Sequence, residues 1–106
     1  MTQAELYTLL KTSDLPVAYR AFKMAQKPPY ICYIFSDSQD FLADNINYSP
    51  VGMFDVELYT VEKDPTTEAA LEKIFNDNRL PYDKTEAFIE SENMLKVTYT
   101  IGVNNG

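Results

Sequence analysis

Residues 51–63 read V-G-M-F-D-V-E-L-Y-T-V-E-K, and from Phe54 onwards they alternate between two faces. The two alternating sets are Phe54, Val56, Leu58 and Thr60 against Asp55, Glu57, Tyr59 and Val61. Alternation of this kind, with β-branched and aromatic residues, is typical of a strand with one buried face. The next residues, D-P-T-T-E, place Asp64 as a helix N-cap and Pro65 at the first helical position. A strand that runs directly into a helix predicts that the helix folds back onto a sheet.

Two helices are predicted. Thr2 and Glu5 have the spacing of a capping box, and Pro16 prevents the helix that they begin from continuing. The second helix is predicted over residues 65–76. Its predicted apolar stripe consists of Ala70, Leu71, Ile74 and Phe75, and the residues expected largely outside this stripe include Glu68 and Glu72.

Four further segments predict strands. Residues 17–24 alternate imperfectly, and residues 30–35 are almost wholly apolar, as in a strand covered on both faces. We expect these two segments to form a hairpin across a Pro-Pro connection. Residues 82–91 and 94–103 also alternate, and the short connection between them predicts a terminal hairpin.

These elements predict one α+β domain over residues 1–106. The expected architecture is a mainly antiparallel sheet of about five strands, with both helices packed on one face. A chain of 106 residues with 45% hydrophobic content is long enough to bury one core. Residues 104–106 are expected to fray.

The charge balance and the residue types argue against several classes of function. Sixteen acidic residues against nine basic ones give a net charge of −7, which disfavours binding to nucleic acid or to an anionic membrane. The chain has no histidine to move protons and no glycine-rich phosphate loop, and Cys32 lies in an apolar run that predicts burial. We therefore expect no enzymatic activity, no cofactor and no metal site. No targeting signal or membrane-spanning run is recognisable, so synthesis in the cytoplasm is expected.

Residues 36–50 form the least regular stretch, S-D-S-Q-D-F-L-A-D-N-I-N-Y-S-P. A connection of this length in a small domain is usually functional or disordered. The spacing of Asp37, Asp40 and Asp44 does not fit a calcium-binding loop, which favours a solvated polar loop. The apolar residues of the stretch either cover the sheet edge or contact another subunit. The candidate contact residues are Phe41, Leu42, Asp44, Asn45, Tyr48 and, in the following strand, Met53.

A second group of acids lies near the terminal hairpin, at Glu86, Glu90 and Glu92. Charges that alternate along an outer strand face, with Lys84 and Lys96 among them, usually protect a sheet edge from aggregation. The alternative is that this edge accepts a strand from another subunit.

Four ordered blocks carry a family resemblance: P-P-Y-I-C-Y-I-F at 28–35, E-L-Y-T-V-E-K-D-P at 57–65, E-A-A-L-E-K-I-F at 68–75 and Y-D-K-T-E-A-F-I-E-S-E at 82–92. Together they resemble the tail-terminator or tail-completion proteins encoded in the head–tail region of siphophages and of prophages of Gram-positive bacteria. The resemblance extends from about residue 15 to residue 103 and rests on the order of the blocks, not on an invariant signature.

The resemblance implies a structural α+β subunit with a curved sheet and without catalytic residues. It implies a ring, expected to be a hexamer, that caps the tail tube and joins it to the head connector. The implied partners are other copies of the chain, the major tail protein and the head connector or neck proteins, without sequence-specific nucleic acid or membrane. The protein would occupy the host cytoplasm during assembly and the virion neck afterwards. Two alternatives stay open: a head-closure or adaptor subunit of the neck, and an unrelated soluble acidic module that binds proteins.

A ring subunit needs two different complementary patches, because head-to-tail contacts that close produce a ring. The stretch 36–50 is expected to supply one patch, and the edge of the terminal hairpin the other. The acidic excess is expected to line the lumen, where it would repel DNA phosphate. The alternative is that the acidic surface only keeps a small protein in solution.

Overall fold

A computed structural model describes residues 1–38 and 51–104 of the chain, with side chains for 1–36 and 52–103. Along the chain the elements are α1 (Gln3–Lys11), β1 (Val17–Tyr19), β2 (Tyr30–Ser38), β3 (Val51–Thr60), α2 (Pro65–Asp77), β4 (Tyr82–Ile89) and β5 (Met94–Asn104). The strands form one sheet in the order β1-β2-β3-β5-β4, mostly antiparallel. The predicted α+β class and the predicted order of elements are confirmed.

The alternating strand β3 is the middle strand of this sheet, paired with β2 on one side and with β5 on the other. Its buried set is the predicted one, Phe54, Val56, Leu58 and Thr60. The strand ends at Thr60, not at residue 63. The helix start is confirmed, because the Asp64 side chain accepts a hydrogen bond from the Thr67 amide at 3.1 Å and Pro65 opens α2.

Both helices cover the same face of the sheet. Leu6 and Leu10 of α1, and Leu71 and Phe75 of α2, belong to one core with the inward residues of the strands. The strand residues of that core are Val17, Ile31, Tyr33, Phe54, Val56, Leu58, Val97, Tyr99, Ile101 and Val103. The opposite face of the sheet carries no helix among the described residues, and we call it the helix-free face.

Turn chemistry fixes where α2 ends. Arg79 has a left-handed backbone with φ 56°, and the Leu80 amide donates a 2.9 Å hydrogen bond to the Phe75 carbonyl. This is the arrangement that closes the last turn of many helices. Leu80 is buried in the core beside Phe75, so the chain leaves the helix directly towards β4.

The prediction of a hairpin between the first two strands is wrong. β1 and β2 are parallel, with Val17 opposite Ile31 and Tyr19 opposite Tyr33. Arg20 adopts a left-handed backbone with φ 70°, which takes the chain out of the strand after three residues instead of the predicted eight. Parallel strands require a connection that crosses the sheet. Residues 20–29 make this crossing, and the predicted strand 17–24 is therefore mostly connection.

A second correction concerns α2. Glu68 was expected largely outside the apolar stripe, but it is only 3% exposed, whereas Ala70 of the predicted stripe is exposed. The residues of α2 that are buried are Glu68, Leu71 and Phe75. Helical periodicity alone predicted that Ala70, a small apolar residue, is buried. In the structure Glu68 is buried instead, because two lysines from outside the helix pair with its carboxylate, as described below.

Candidate functional site

Five of the six predicted contact residues lie outside the described residues: Phe41, Leu42, Asp44, Asn45 and Tyr48. The sixth, Met53, is half-buried on β3, where it lies between Asp37 of β2 and Gly102 of β5 on the helix-free face. The side chain of Met53 therefore belongs to a broad sheet surface. Its position near the end of β3 places it close in sequence to the stretch that contains the other five.

The helix-free face is polar along its central strands. The Thr100 hydroxyl donates a 2.8 Å hydrogen bond to Asp55 Oδ1, and the Tyr59 hydroxyl donates one of 3.0 Å to Glu57 Oε1. Lys96 Nζ lies 3.9 Å from Glu57 Oε2. The contacts of Thr100 with Asp55 and of Lys96 with Glu57 join β3 to β5, whereas Tyr59 and Glu57 lie on the same strand. All of these side chains are partly buried. They leave a polar surface, which a partner could cover only by taking charged groups out of water.

A cavity of about 350 Å³ lies at one end of this face. We call it the crossover cavity because one wall is formed by residues 20–26 of the connection between β1 and β2. Its floor contains Tyr30, Cys32 and Tyr59, and Glu92 from the β4–β5 turn completes the lining. The Tyr30 and Tyr59 rings are stacked with centroids 4.9 Å apart, and the Phe22 ring meets Tyr30 edge-on at 5.3 Å. The crossover cavity therefore combines an aromatic floor with a charged wall.

The charge of this wall is basic and unpaired. Arg20, Lys23 and Lys27 make no ion pair with any carboxylate of the described residues. Among the described residues, Glu92 is the only acid in the lining, which also contains Arg20 and Lys23. In a chain of net charge −7, an unpaired basic segment beside exposed apolar surface differs from its surroundings. Met24, in the same segment, is 82% exposed.

Ionisable groups in the cavity floor are held neutral. Burial, together with the nearby Glu57 carboxylate, raises the pKa of the Cys32 thiol to about 11. Burial also raises the pKa of Tyr59, and the hydrogen bond that its hydroxyl donates to Glu57 adds to this effect. A neutral thiol is a poor nucleophile. The floor therefore offers aromatic contact surface and no activated group, which agrees with the expected burial of Cys32.

A second concentration of charge lies on the helix side, between α2 and β4. Lys84 Nζ is 2.9 Å from Glu68 Oε1 and 2.7 Å from Glu72 Oε2, and Lys63 contacts Glu68 at 3.0 Å. The Tyr99 hydroxyl donates a 2.7 Å hydrogen bond to Glu72 Oε2. We call these five residues the helix-side cluster. The sequence grouped Lys84 with Lys96 on one outer face, and this is wrong, because Lys84 lies on the helix side and Lys96 on the helix-free face.

The electrostatics of the helix-side cluster are those of a stabilising network. Burial raises the pKa of Glu68 and of Glu72, but hydrogen bonds from the lysines more than offset it and hold both pKa values below the usual range. The same hydrogen bonds raise the pKa of Lys84. Carboxylates stay ionised and lysines stay protonated at neutral pH, so no group is poised to exchange a proton near pH 7. Glu68 Oε2 is buried without a hydrogen-bond partner among the described residues.

The edge strand β4 is the other exposed feature. It pairs with β5 on one side only, and six of its eight residues are exposed between two half-buried ends. Its opposite backbone edge has no strand partner among residues 1–38 and 51–104. Phe88 on this strand is 55% exposed. Unpaired edges of this length are templates for the addition of a further strand.

A second cavity, of about 370 Å³, is lined by Pro28, Pro29 and residues 60–64. Thr60 Oγ1 is buried there without a hydrogen-bond partner in the described part of the chain. Asp64 in its lining already caps α2, and Lys63 is already paired with Glu68 and Glu86. This cavity therefore has few polar groups left for a ligand.

The described ranges contain no group of three or more Cys, Asp or Glu residues that could hold a metal ion. No helix within residues 1–38 and 51–104 is long and apolar enough to cross a membrane. The chain matches no family model, and comparison with curated proteins gives no match either.

Sequence reasoning missed the crossover cavity and the helix-side cluster. The signal for the first was present, since no acidic residue occurs between Asp14 and Asp37 in a strongly acidic chain. Read as a local charge pattern, that stretch marks residues 20–27 as a basic surface. The helix-side cluster had no such signal, because the pairing of Lys84 with Glu68 depends on the position of α2 over β4.

Proposed function

We propose that this chain is a structural subunit of the phage head–tail interface, and specifically a tail terminator that forms a ring, caps the tail tube and joins it to the head connector. The four ordered sequence blocks that resemble this family support the identity of the assembly. The structural observation that carries the proposal is the β4 edge, which is long, exposed and unpaired within the described residues.

A ring requires each subunit to present two different surfaces. The β4 edge lies on one side of the sheet, and the crossover cavity lies towards the other side, over β2 and β3. Surfaces on opposite sides of a subunit produce head-to-tail contacts, and such contacts close into a ring when the rotation per subunit is suitable. The helix-side cluster would not take part, because its charges are already paired within the chain.

The partners of the proposed ring are other copies of the chain, the major tail protein and the neck or connector proteins. A head-closure or adaptor subunit needs the same kind of surfaces and differs only in the partner, so it is the second candidate. An acidic protein-binding module unrelated to phage is the third, and it would need only one of the two surfaces. A hexamer in the virion and a monomeric free subunit both agree with the proposal.

The test is electron microscopy of particles made by the source phage with this gene deleted, with the gene supplied in trans as the control. A tail terminator predicts DNA-filled heads beside unattached tails of irregular length, and the supplied gene restores normal virions. Normal tails beside leaking heads would reassign the protein to head closure. Infectious virions of normal form would overturn the phage role altogether.

A further inference from the structure

The outward edge of β4 restricts how a second strand can join it. Because β4 already pairs with β5, only alternate residues point their amide and carbonyl groups outward. Two antiparallel copies of β4 can exchange hydrogen bonds only when these outward residues face one another. An even-numbered residue must then face an even-numbered one, and the facing side chains lie on the same face of the joined sheet. The edge therefore admits only a few registers with itself, each centred on one residue.

One register joins residues of compatible chemistry along nearly the whole strand. It is centred on Thr85, which faces Thr85 of the second copy. The other facing residues, each pair occurring twice, are Lys84 with Glu86, Asp83 with Ala87, and Tyr82 with Phe88. No two residues of the same charge face one another, and residues 82–88 are all paired.

The neighbouring registers are less favourable. Centres at Asp83, Lys84 or Glu86 place two side chains of the same charge directly opposite one another, which destabilises an antiparallel pair. A centre at Ala87 avoids like charges, but it pairs only residues 85–89 within β4. Centres nearer either end of the strand pair still fewer residues. Charge and strand length together therefore select the register centred on Thr85.

The aromatic residues at the two ends of β4 favour the same register. Phe88 is 55% exposed, and Tyr82 is half-buried with its ring centroid 5.6 Å from that of Phe75. In the register centred on Thr85, each Phe88 faces the Tyr82 of the second copy, and facing aromatic side chains stabilise antiparallel strands. The facing charges mainly avoid repulsion, since Lys84 and Glu86 already have partners within the chain. The backbone edge and the aromatic pairs therefore supply most of the attraction.

We propose that two copies of this chain associate through antiparallel β4 strands, with Thr85 at the two-fold axis. The two five-stranded sheets then form one continuous sheet, with the helices of both copies on the same face. Pairing also removes an exposed edge that could otherwise recruit strands from unrelated chains.

This inference goes beyond the proposed function. The β4 contact between the two copies is isologous, whereas the contacts of a ring are head-to-tail. Both contacts use the same edge, so one excludes the other. The dimer is therefore a form of the free subunit, and it must open before the β4 edge can enter a ring.

Disulfide formation measures the register. Directly opposite residues of an antiparallel pair have Cα atoms about 4.5–5.5 Å apart, within the range that a disulfide bridges. We expect oxidation of purified Thr85→Cys to give a covalent dimer. The matched control is Ala87→Cys, at an exposed position on the same face of the same strand. Residue 87 faces residue 83, so the two copies of Cys at 87 would lie about 13 Å apart and should not cross-link.

Two further samples complete this experiment. A mixture of Asp83→Cys with Ala87→Cys should cross-link, whereas neither variant should do so alone. The unchanged chain controls for Cys32, which is buried. Failure of Thr85→Cys to cross-link, or equal cross-linking of Thr85→Cys and Ala87→Cys, would overturn the inference.

Sedimentation equilibrium tests the same register without a covalent bond. Thr85→Lys places two lysines face to face, and we expect the Kd of the dimer to rise about fivefold. Ala87→Lys adds the same charge to the same face of β4 but places it opposite Asp83, so the dimer should be at least as tight as in the unchanged chain. Circular dichroism verifies that each variant is folded. A chain that stays monomeric up to its solubility limit, or equal weakening by the two lysines, contradicts the pairing.

The outcomes separate this inference from the proposed function. If gene deletion gives the tail phenotype but Thr85→Cys does not cross-link, the phage role stands and the β4 pairing fails. If Thr85→Cys cross-links as expected but gene deletion leaves normal virions, the pairing stands and the phage role fails.

Discussion

The helix-side cluster and the wall of the crossover cavity use basic residues in opposite ways. In the helix-side cluster, Lys63 and Lys84 lie within 3.0 Å of carboxylate oxygens of α2, and Tyr99 completes the network. In the wall of the crossover cavity, Arg20 and Lys23 make no ion pair within the described residues.

This difference separates charges that hold the subunit together from charges that are available to a partner. A buried carboxylate such as Glu68 requires its lysines, because removal of one partner leaves an uncompensated charge in the interior. A solvated cation without a partner contributes little to the folded subunit. The comparison predicts that changes on the helix side reduce stability, whereas changes in the cavity wall affect association.

The largest effect is expected for Lys84→Met, which keeps most of the side-chain volume and removes the ammonium group. Glu68 is 3% exposed and the Lys84 side chain is 35% exposed. The loss of unfolding free energy should therefore fall between the value for a buried ion pair and the value for a surface ion pair. We expect the free energy of unfolding to fall by about 2 kcal/mol, measured by urea unfolding. The control is Lys73→Met, whose pair with Asp77 is exposed on both sides and should contribute only about 0.3 kcal/mol. Equal losses in the two variants would contradict the comparison.

A smaller effect is expected for Tyr99→Phe. The Tyr99 side chain is fully buried, and its hydroxyl donates to Glu72 Oε2, which keeps Lys84 as a second partner. The unfolding free energy should therefore fall by about 1 kcal/mol. Thr100→Val removes a hydrogen bond of similar length, to Asp55 on the helix-free face, where solvent can replace it. If Thr100→Val lowered the unfolding free energy as much as Tyr99→Phe does, hydrogen bonds on the two faces of the sheet would contribute equally to stability.

These examples show which parts of the molecule the sequence could predict. The alternation of β3, the capping box at Thr2 and Glu5, and the N-cap at Asp64 depend on neighbouring residues, and the structure confirms them. The parallel pairing of β1 with β2 depends on the path of residues 20–29 across the sheet. That path begins at Arg20, where the left-handed backbone turns the chain out of β1. Local periodicity contains no information on that path, so it predicted a hairpin.

The candidate site was less predictable than the fold for the same reason. Residues 20–26 come together with Tyr59 and Glu92 only after three separate parts of the chain have packed. The interaction of Glu68 with Lys84 likewise needs α2 to lie over β4. Of the predicted contact residues, only Met53 falls on the described part of the chain, and the contact roles of all six stay predictions.

Acid titration tests the helix-side cluster without altering the core. The folded-state pKa values of Glu68 and Glu72 lie below the ordinary value of 4.5, because the lysine hydrogen bonds outweigh the opposing effect of burial. The unfolded chain therefore binds protons at a pH where the folded chain does not, and stability is lost as the pH falls below about 4.5. We expect the urea midpoint to decline over this range in the unchanged chain and to decline less in Lys84→Met. The same decline in both would show that other carboxylates, such as Glu5 and Asp64, control the acid response.

The smallest effect on stability is expected for Arg20→Gln, Lys23→Gln. Neither cation has a carboxylate partner in the described residues, so their neutralisation should change the unfolding free energy by less than about 0.5 kcal/mol. Urea unfolding at low and at high salt is the measurement, and the two salt conditions should give the same small difference. A loss comparable to that of Lys84→Met would place Arg20 and Lys23 among the residues that hold the subunit together. Unchanged stability would instead show that these two cations are not needed to hold the subunit together.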